Sequence, residues 1–308
     1  MLSVLFSILL NVIFPVFILL GAGIVLHRIF TFDLNTLSKI TMYYLLPVIA
    51  FVNVYQSEID IQVFMEVIGF QLLLCLILMA GSALAAKMLK LDRGMTANFK
   101  NSIVLLNSGN YGLPVSELVF QTNPLGMTIQ IIVMTIQNFV TYTYGLFNSV
   151  AAKHDGKGIF IILLKMPILY ALLLAVLFQA FQINIPAFIW NPIESASAAF
   201  LAIALLSLGA QIAYIKITKP DKVLISSIIG RLIVAPAIGL GLILLMGITG
   251  TTAQALLIAS SFPASRNSAQ LALEYDNYPE SAGQIVLVTT ILSSLTVTFV
   301  VYLAGVIF

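Results

Sequence analysis

Apolar residues in this chain run in long blocks, without the strict alternation of a half-buried strand or the single stripe of a surface helix. A bilayer core about 30 Å thick takes roughly 20 apolar residues of helix. With that length as a ruler the sequence divides into ten segments, at 3–26, 36–55, 63–86, 96–119, 126–149, 159–181, 187–210, 223–246, 253–274 and 284–307. No apolar stretch is left over, and no connection is long enough to hold a soluble domain of its own. The pattern predicts an all-α membrane protein of ten transmembrane helices. The first run lacks both a basic flank and a small-residue cleavage pattern, so it reads as the first span and not as a removable signal peptide.

Composition supports the same class. Of 308 residues, 60% are hydrophobic and 8% charged, and the mean hydropathy is +1.08, which leaves too little polar surface to wrap a water-soluble globule. The net charge of +2 comes from 14 basic residues spread along the chain, with no basic face for nucleic acid. Cys75 is the single cysteine, so an intrachain disulfide is excluded and no thiolate metal site is expected.

The placement of basic residues orients the spans. Arg28, Lys39, Lys87, Lys90, Arg93, Lys100, Lys153, Lys157, Lys165, Lys216, Lys219 and Lys222 lie in or beside the first, third, fifth and seventh connections, and the even-numbered connections carry none. By the positive-inside rule the odd connections are cytoplasmic and both termini lie on the outer face of what is expected to be the plasma (cytoplasmic) membrane. Lys39 and Lys165 fall a turn or two inside a span, where a long side chain can snorkel to the interface. Arg231 and Arg266 remain within spans; Arg231 is expected to anchor the eighth span by snorkelling, with a role on the substrate path the alternative. The acids Glu274, Asp276 and Glu280 read as a solvated cytoplasmic connection, with cation attraction the alternative.

Pro15 and Pro167, Pro114 and Pro263, and Pro124 and Pro279 are each about 150 residues apart, close to half the chain. This spacing suggests a duplication: 1–152 as a first five-helix repeat, 153–158 as a short cytoplasmic connection and 159–308 as a second repeat. Five crossings put the second copy into the membrane upside down, so the repeats are inverted, a plan common among secondary transporters. Small-residue spacings, Gly81 with Ala85 and Ser226 with Gly230, suggest close helix contacts.

The fourth and ninth segments are interrupted by polar residues near their centres. The fourth contains Asn107-Ser108-Gly109-Asn110-Tyr111-Gly112-Leu113-Pro114-Val115-Ser116-Glu117, and the ninth Ser260-Ser261-Phe262-Pro263-Ala264-Ser265-Arg266-Asn267-Ser268. Unwound backbone at that depth is tolerated only against protein or a cavity. Proline suits the first position of a helix, so each break is expected to start a half-helix, at Pro114 and at Pro263, with its positive dipole end toward the protein centre. Two such ends form an anion trap. Arg266 adds a guanidinium that can grip a carboxylate through two parallel hydrogen bonds. Glu117 follows Pro114 by three residues, as Arg266 follows Pro263, and the two are expected to be close enough to pair. Three readings stay open: mutual neutralisation of buried charges, competition in which a substrate carboxylate takes Arg266 and Glu117 picks up a proton, or one of the two side chains facing water instead.

The break from Asn107 to Pro114, the Leu46-Pro47 exit of the second span and the Pro263 break resemble the auxin efflux carrier family, over essentially the whole chain. That resemblance implies the fold of the bile acid sodium symporters: two inverted five-helix repeats, interleaved scaffold and transport domains, and fourth and ninth helices crossing at their broken centres, with an elevator-type motion. Bacterial members carry malate and malonate, and plant members export an indole carboxylate. Asn107, Pro114 and Pro263 match the family's positions at the breaks. Asn138 and Tyr142, four apart with Gln137 beside them, look like a binding pair on the fifth helix; interhelical hydrogen bonding is the alternative. Arg266 departs from the auxin carriers and favours a smaller, more highly charged acid, with Tyr111 and Phe262 the only rings at the breaks.

The expected function is secondary transport of small organic anions, mono- or dicarboxylates such as malate. Arg266 would pair the carboxylate, with Asn107, Asn110, Gln137, Asn138, Tyr142 and Asn267 orienting it and Pro114 and Pro263 shaping the backbone. A passive anion channel, or a uniporter for an aromatic carboxylate such as auxin, is the alternative. An enzyme is not expected: His27 and His154 are the only histidines, so no zinc-protease pair or buried serine–histidine dyad can form. No cofactor or metal is expected. Sodium coupling through Asn107, Ser108, Asn110 and Asn267, proton coupling through Glu117, and uniport all remain open. The partners are the anion and the lipid bilayer, and a homodimer is one assembly open to such a chain.

Overall fold

The computed structural model describes residues 10, 13–56, 61–121, 123–150, 167–214 and 220–308. Among the described residues helix fills most of each segment expected from hydropathy, with non-helical breaks at 105–107 and 261–265. The helices are α1 (Phe14–Phe30), α2 (Leu34–Ile40), α3 (Leu46–Gln56), α4 (Ile61–Met88), α5 (Arg93–Val104), α6 (Leu113–Val119), α7 (Pro124–Val140), α8 (Leu146–Val150), α9 (Pro167–Ala180), α10 (Ala187–Ile212), α11 (Lys222–Ile229), α12 (Ala235–Met246), α13 (Gly250–Ser260), α14 (Arg266–Glu274) and α15 (Pro279–Ile307). Five stretches, Gln62–Met88, Pro124–Ser149, Ala187–Ile212, Lys222–Met246 and Pro279–Ile307, are each long and apolar enough to cross a membrane. The expected connection at 153–158, together with Lys153, Lys157, Lys165, Lys216 and Lys219, lies outside the described residues.

Local chemistry explains the helix ends. Asp92 and Asp221 cap α5 and α11, accepting hydrogen bonds from the N–H of Met95 at 3.0 Å and of Leu224 at 2.7 Å. Pro124 and Pro279 occupy the first turns of α7 and α15, where a missing N–H costs nothing. Gly247, at φ 68°, ends α12 in the left-handed region. Wide π-type turns at Thr41–Leu45, Thr141–Gly145 and Gly230–Val234 join α2 to α3, α7 to α8 and α11 to α12 without interrupting the rods. Such turns rotate the face that a helix presents beyond them.

Two groups of helices emerge from the packing. In one, α1 lies along α10, and α9 and α10 lie along α3. In the other, α4 packs on α5, α7 and α12, while α13 packs on α7, α12 and α15. An apolar cluster joins them, with Leu46, Ile49 and Phe200 from the first group against Leu113, Met127 and Ile131 from the second. Arg28 ties α1 to the end of α10, donating to the Ala213 carbonyl at 2.8 Å through Nη2.

Helix approach is closest where glycine was not singled out by spacing. A Cβ on Gly23 would run into the backbone of Leu206, and one on Gly209 into the backbone of Leu20, so α1 and α10 touch main chain to main chain. Gly81, expected at a close contact, has nothing within 4 Å of its Cβ position. The spacing of small residues does not say which face of a helix meets a neighbour, and Gly81 faces outward.

Arg231 corrects a second expectation. It does not snorkel but is completely buried. Its Nη1 donates to the Ile103 carbonyl at 2.7 Å, and its Nη2 donates to the Ser260 carbonyl. Two unsatisfied carbonyls inside the protein attract the guanidinium more strongly than a distant interface does.

Gly23→Leu is expected to cost roughly 1–3 kcal/mol through overpacking, whereas Gly21→Leu, with open space around its Cβ, should leave the melting temperature of the purified protein nearly unchanged. Asp92 also supplies a pH signature. The Met95 N–H, followed by the Tyr278 hydroxyl, holds its carboxyl below the usual carboxylate range. Its contribution is therefore present above that range and lost as pH falls through the lowered value. Asp92→Ala should remove roughly 0.5–2 kcal/mol of capping and flatten the acid limb of a stability–pH curve.

Candidate functional site

The fourth and ninth segments break and meet. α5 ends at Val104, Leu105 to Asn107 run extended, and a wide turn over Ser108–Gly112 leads into α6. α13 ends at Ser260, and α14 begins at Arg266 behind the capping side chain of Ser265. Leu106 and Ala264 form an isolated antiparallel bridge between the two breaks. The Asn107 N–H donates to the Pro263 carbonyl at 2.9 Å, and the Ser265 N–H donates to the Leu105 carbonyl at 2.7 Å. Main-chain groups freed by one break are thus satisfied by the other.

Across the bridge Leu106 stands opposite Ala264, with Asn107 against Pro263 and Leu105 against Ser265. Pro114 sits in the first turn of α6, after the chain has already turned helical at Ser108. Pro263 lies within the extended strand, before the helix restarts. The Asn107 carbonyl accepts from the Gly112 N–H at 2.8 Å, so winding resumes ahead of the proline. Glu117 follows in α6, and its Oε2 is buried with no hydrogen-bond partner.

Side chains from three directions hold the remaining carbonyls. Arg231 takes those of Ile103 and Ser260. Gln137 donates to the Val104 carbonyl at 3.2 Å, and Gln130 to the Ser108 carbonyl at 2.9 Å. The two glutamines are seven apart, two turns along one face of α7. Thr289 of α15 accepts from the Ala264 N–H at 3.3 Å.

A narrow cavity opens beside the bridge, with a free volume of about 40 Å³, room for roughly three waters. Asn107, Ser108, Gly109 and Asn110 line it from the first break, and Ser265, Arg266 and Asn267 from the second. Met134, Gln137, Asn138 and Thr141 close it from the fifth segment, and Thr41 and Leu46 from the second. Six residues singled out by sequence therefore come together here: Asn107, Asn110, Gln137, Asn138, Arg266 and Asn267. Pro114 and Pro263 do not line the cavity, and the Tyr142 side chain lies outside the described structure.

Both helical restarts, at Ser108 and at Arg266, open onto this space, and their positive ends join the Arg266 guanidinium. Two buried amide atoms on its wall lack hydrogen-bond partners, the Asn107 Nδ2 donor and the Gln137 Oε1 acceptor. Tyr111 and Phe262 are fully buried and pack edge to face against each other at 5.9 Å, outside the cavity lining. A larger cleft of about 1240 Å³ opens elsewhere, lined by Asp221, Asp276 and Glu280, whose charges repel an anion.

Sequence reasoning missed Thr41, Thr141, Gln130 and the bridging role of Arg231. Thr41 and Thr141 each begin one of the wide turns, which no residue pattern announces. The two glutamines at a seven-residue interval were a readable signal.

Polar, broken helices around a buried cavity in an apolar, all-helical chain are the features of a membrane transport protein, and comparison with known sequences shows that class. The family model described as "membrane transport protein" matches residues 8–158 and 156–301. The chain belongs to that auxin efflux carrier-like family: it is a multi-pass integral membrane transporter and not an enzyme. It is also 25% identical over 270 residues to an "uncharacterized transporter" of Methanothermobacter thermautotrophicus, covering 85% of this chain and 86% of that one.

The Asn107 side chain makes no hydrogen bond that holds the fold. Asn107→Ala should therefore change stability by less than about 1 kcal/mol while weakening ligand binding about tenfold, read by thermal shift against ligand titration.

Proposed function

We propose that the chain is a secondary carrier for small organic anions, mono- or dicarboxylates such as malate. The observation that carries this reading is the meeting of Arg266, two helix N-termini and the unpartnered Asn107 Nδ2 on one buried cavity. A carboxylate satisfies all three at once, taking parallel hydrogen bonds from the guanidinium and further ones from the amide and main chain. Gln137 and Asn138 then orient the rest of the molecule, and Asn110 and Asn267 flank it. The Tyr111 and Phe262 rings are engaged with each other, which favours a small acid over an aromatic one.

In this reading the ten helical segments are ten crossings in two inverted five-helix repeats, with the broken fourth and ninth helices crossing at the membrane centre as in the bile acid sodium symporters. The odd connections are cytoplasmic and both termini lie outside the plasma membrane. The group containing α1, α3, α9 and α10 is the scaffold, and the group carrying the breaks is the transport body. Thr41 and Leu46 belong to the scaffold and every other wall residue to the transport body, so an elevator-type slide between the groups opens the closed cavity to either side. Glu117, whose Oε2 has no partner, is the candidate for proton coupling.

The test is uptake of labelled malate into proteoliposomes with imposed sodium or proton gradients. Wild type should show saturable uptake and counterflow. Arg266→Gln should abolish uptake, and Arg266→Lys, which keeps charge but loses the planar fork, should raise KM at normal expression. Unchanged affinity in both variants would remove Arg266 from the site.

A further inference from the structure

Arg231 is a buried cation that no carboxylate accompanies among the described residues. It is completely buried at the turn between α11 and α12. Its two donations go to the Ile103 and Ser260 carbonyls. Ile103 is in the last turn of α5 and Ser260 is the last residue of α13, so one guanidinium closes the C-terminal ends of both broken helices. Its Nε has no hydrogen-bond partner. On the same side lies the Cys75 thiol of α4, which accepts from Gln71 at 3.7 Å.

Each helix C-terminus carries about half a negative charge, so two together present about one. In carriers with broken helices, such C-terminal ends and unwound carbonyls are the usual seat of a coupling cation. Here a side chain of charge +1 already fills that position and uses two of its carbonyls. We propose that Arg231 is a covalently tethered cation in the seat a transported sodium ion would otherwise take, so the two broken helices are held together without sodium. Arg231 is a positioning residue: it acts through the two breaks and touches no cargo.

The inference rests on the carrier reading for its role in transport, but its first test needs no cargo. Purified protein, substrate-free in detergent, is melted in sodium chloride and in choline chloride at equal concentration. Wild type and Arg231→Lys should melt at the same temperature in both salts. Arg231→Gln, which vacates the carbonyls' cation, should melt lower and regain several degrees in sodium alone. A sodium-specific rise in wild type or in Arg231→Lys overturns the assignment, and so does a folded Arg231→Gln that ignores sodium. If Arg231→Gln does not fold, the other two proteins decide. In proteoliposomes, wild-type uptake should keep its rate when choline replaces sodium, and a requirement for sodium overturns the proposal. Failure of the carboxylate reading looks different: no malate uptake in either salt, with the melting pattern intact.

Discussion

Main-chain groups released where a helix breaks inside a membrane have no water to turn to, and the architecture of this protein follows from where they go. A single break would leave several N–H and C=O groups exposed to hydrocarbon, each at a cost of several kcal/mol. Two breaks placed against each other solve most of the problem reciprocally, through the short antiparallel pairing at Leu106 and Ala264. What the pairing leaves over is taken by Arg231, Gln130 and Gln137. The eighth and fifth segments are thereby fixed against the breaks, and the polar cavity is the space that remains.

This arrangement separates the ends of the broken helices by sign. Negative C-terminal ends are closed from behind by a buried guanidinium, whereas positive ends and a second arginine open on the cavity. In the proposed reading, this turns the meeting of the helix ends into a site polarised toward anions. The chain's overall charge of +2 says nothing of this, because the field arises from where backbone dipoles start and stop.

The helical class and the membrane setting were legible because burying twenty-residue apolar blocks in lipid leaves few alternatives. Polar residues at the centres of the fourth and ninth segments were legible for the same reason, and four of the residues they suggested, Asn107, Asn110, Arg266 and Asn267, share one cavity with Gln137 and Asn138 of the fifth segment. The register of the breaks was not. Proline marked where a helix can begin, but the bridge and the Ser265 cap decided where each does begin. Arg231 was visible as a charge within a span, yet its partners are carbonyls, and carbonyls leave no trace in a sequence. Gly23 and Gly209 were hidden for a related reason, since their role depends on which face of α1 meets α10.

Because the two breaks recognise each other through main chain alone, the pairing does not depend on the side chains at Leu106 or Ala264. The frame around the cavity is therefore written in backbone hydrogen bonds and their supports, and side chains on the cavity wall can be exchanged while that frame is inherited unaltered.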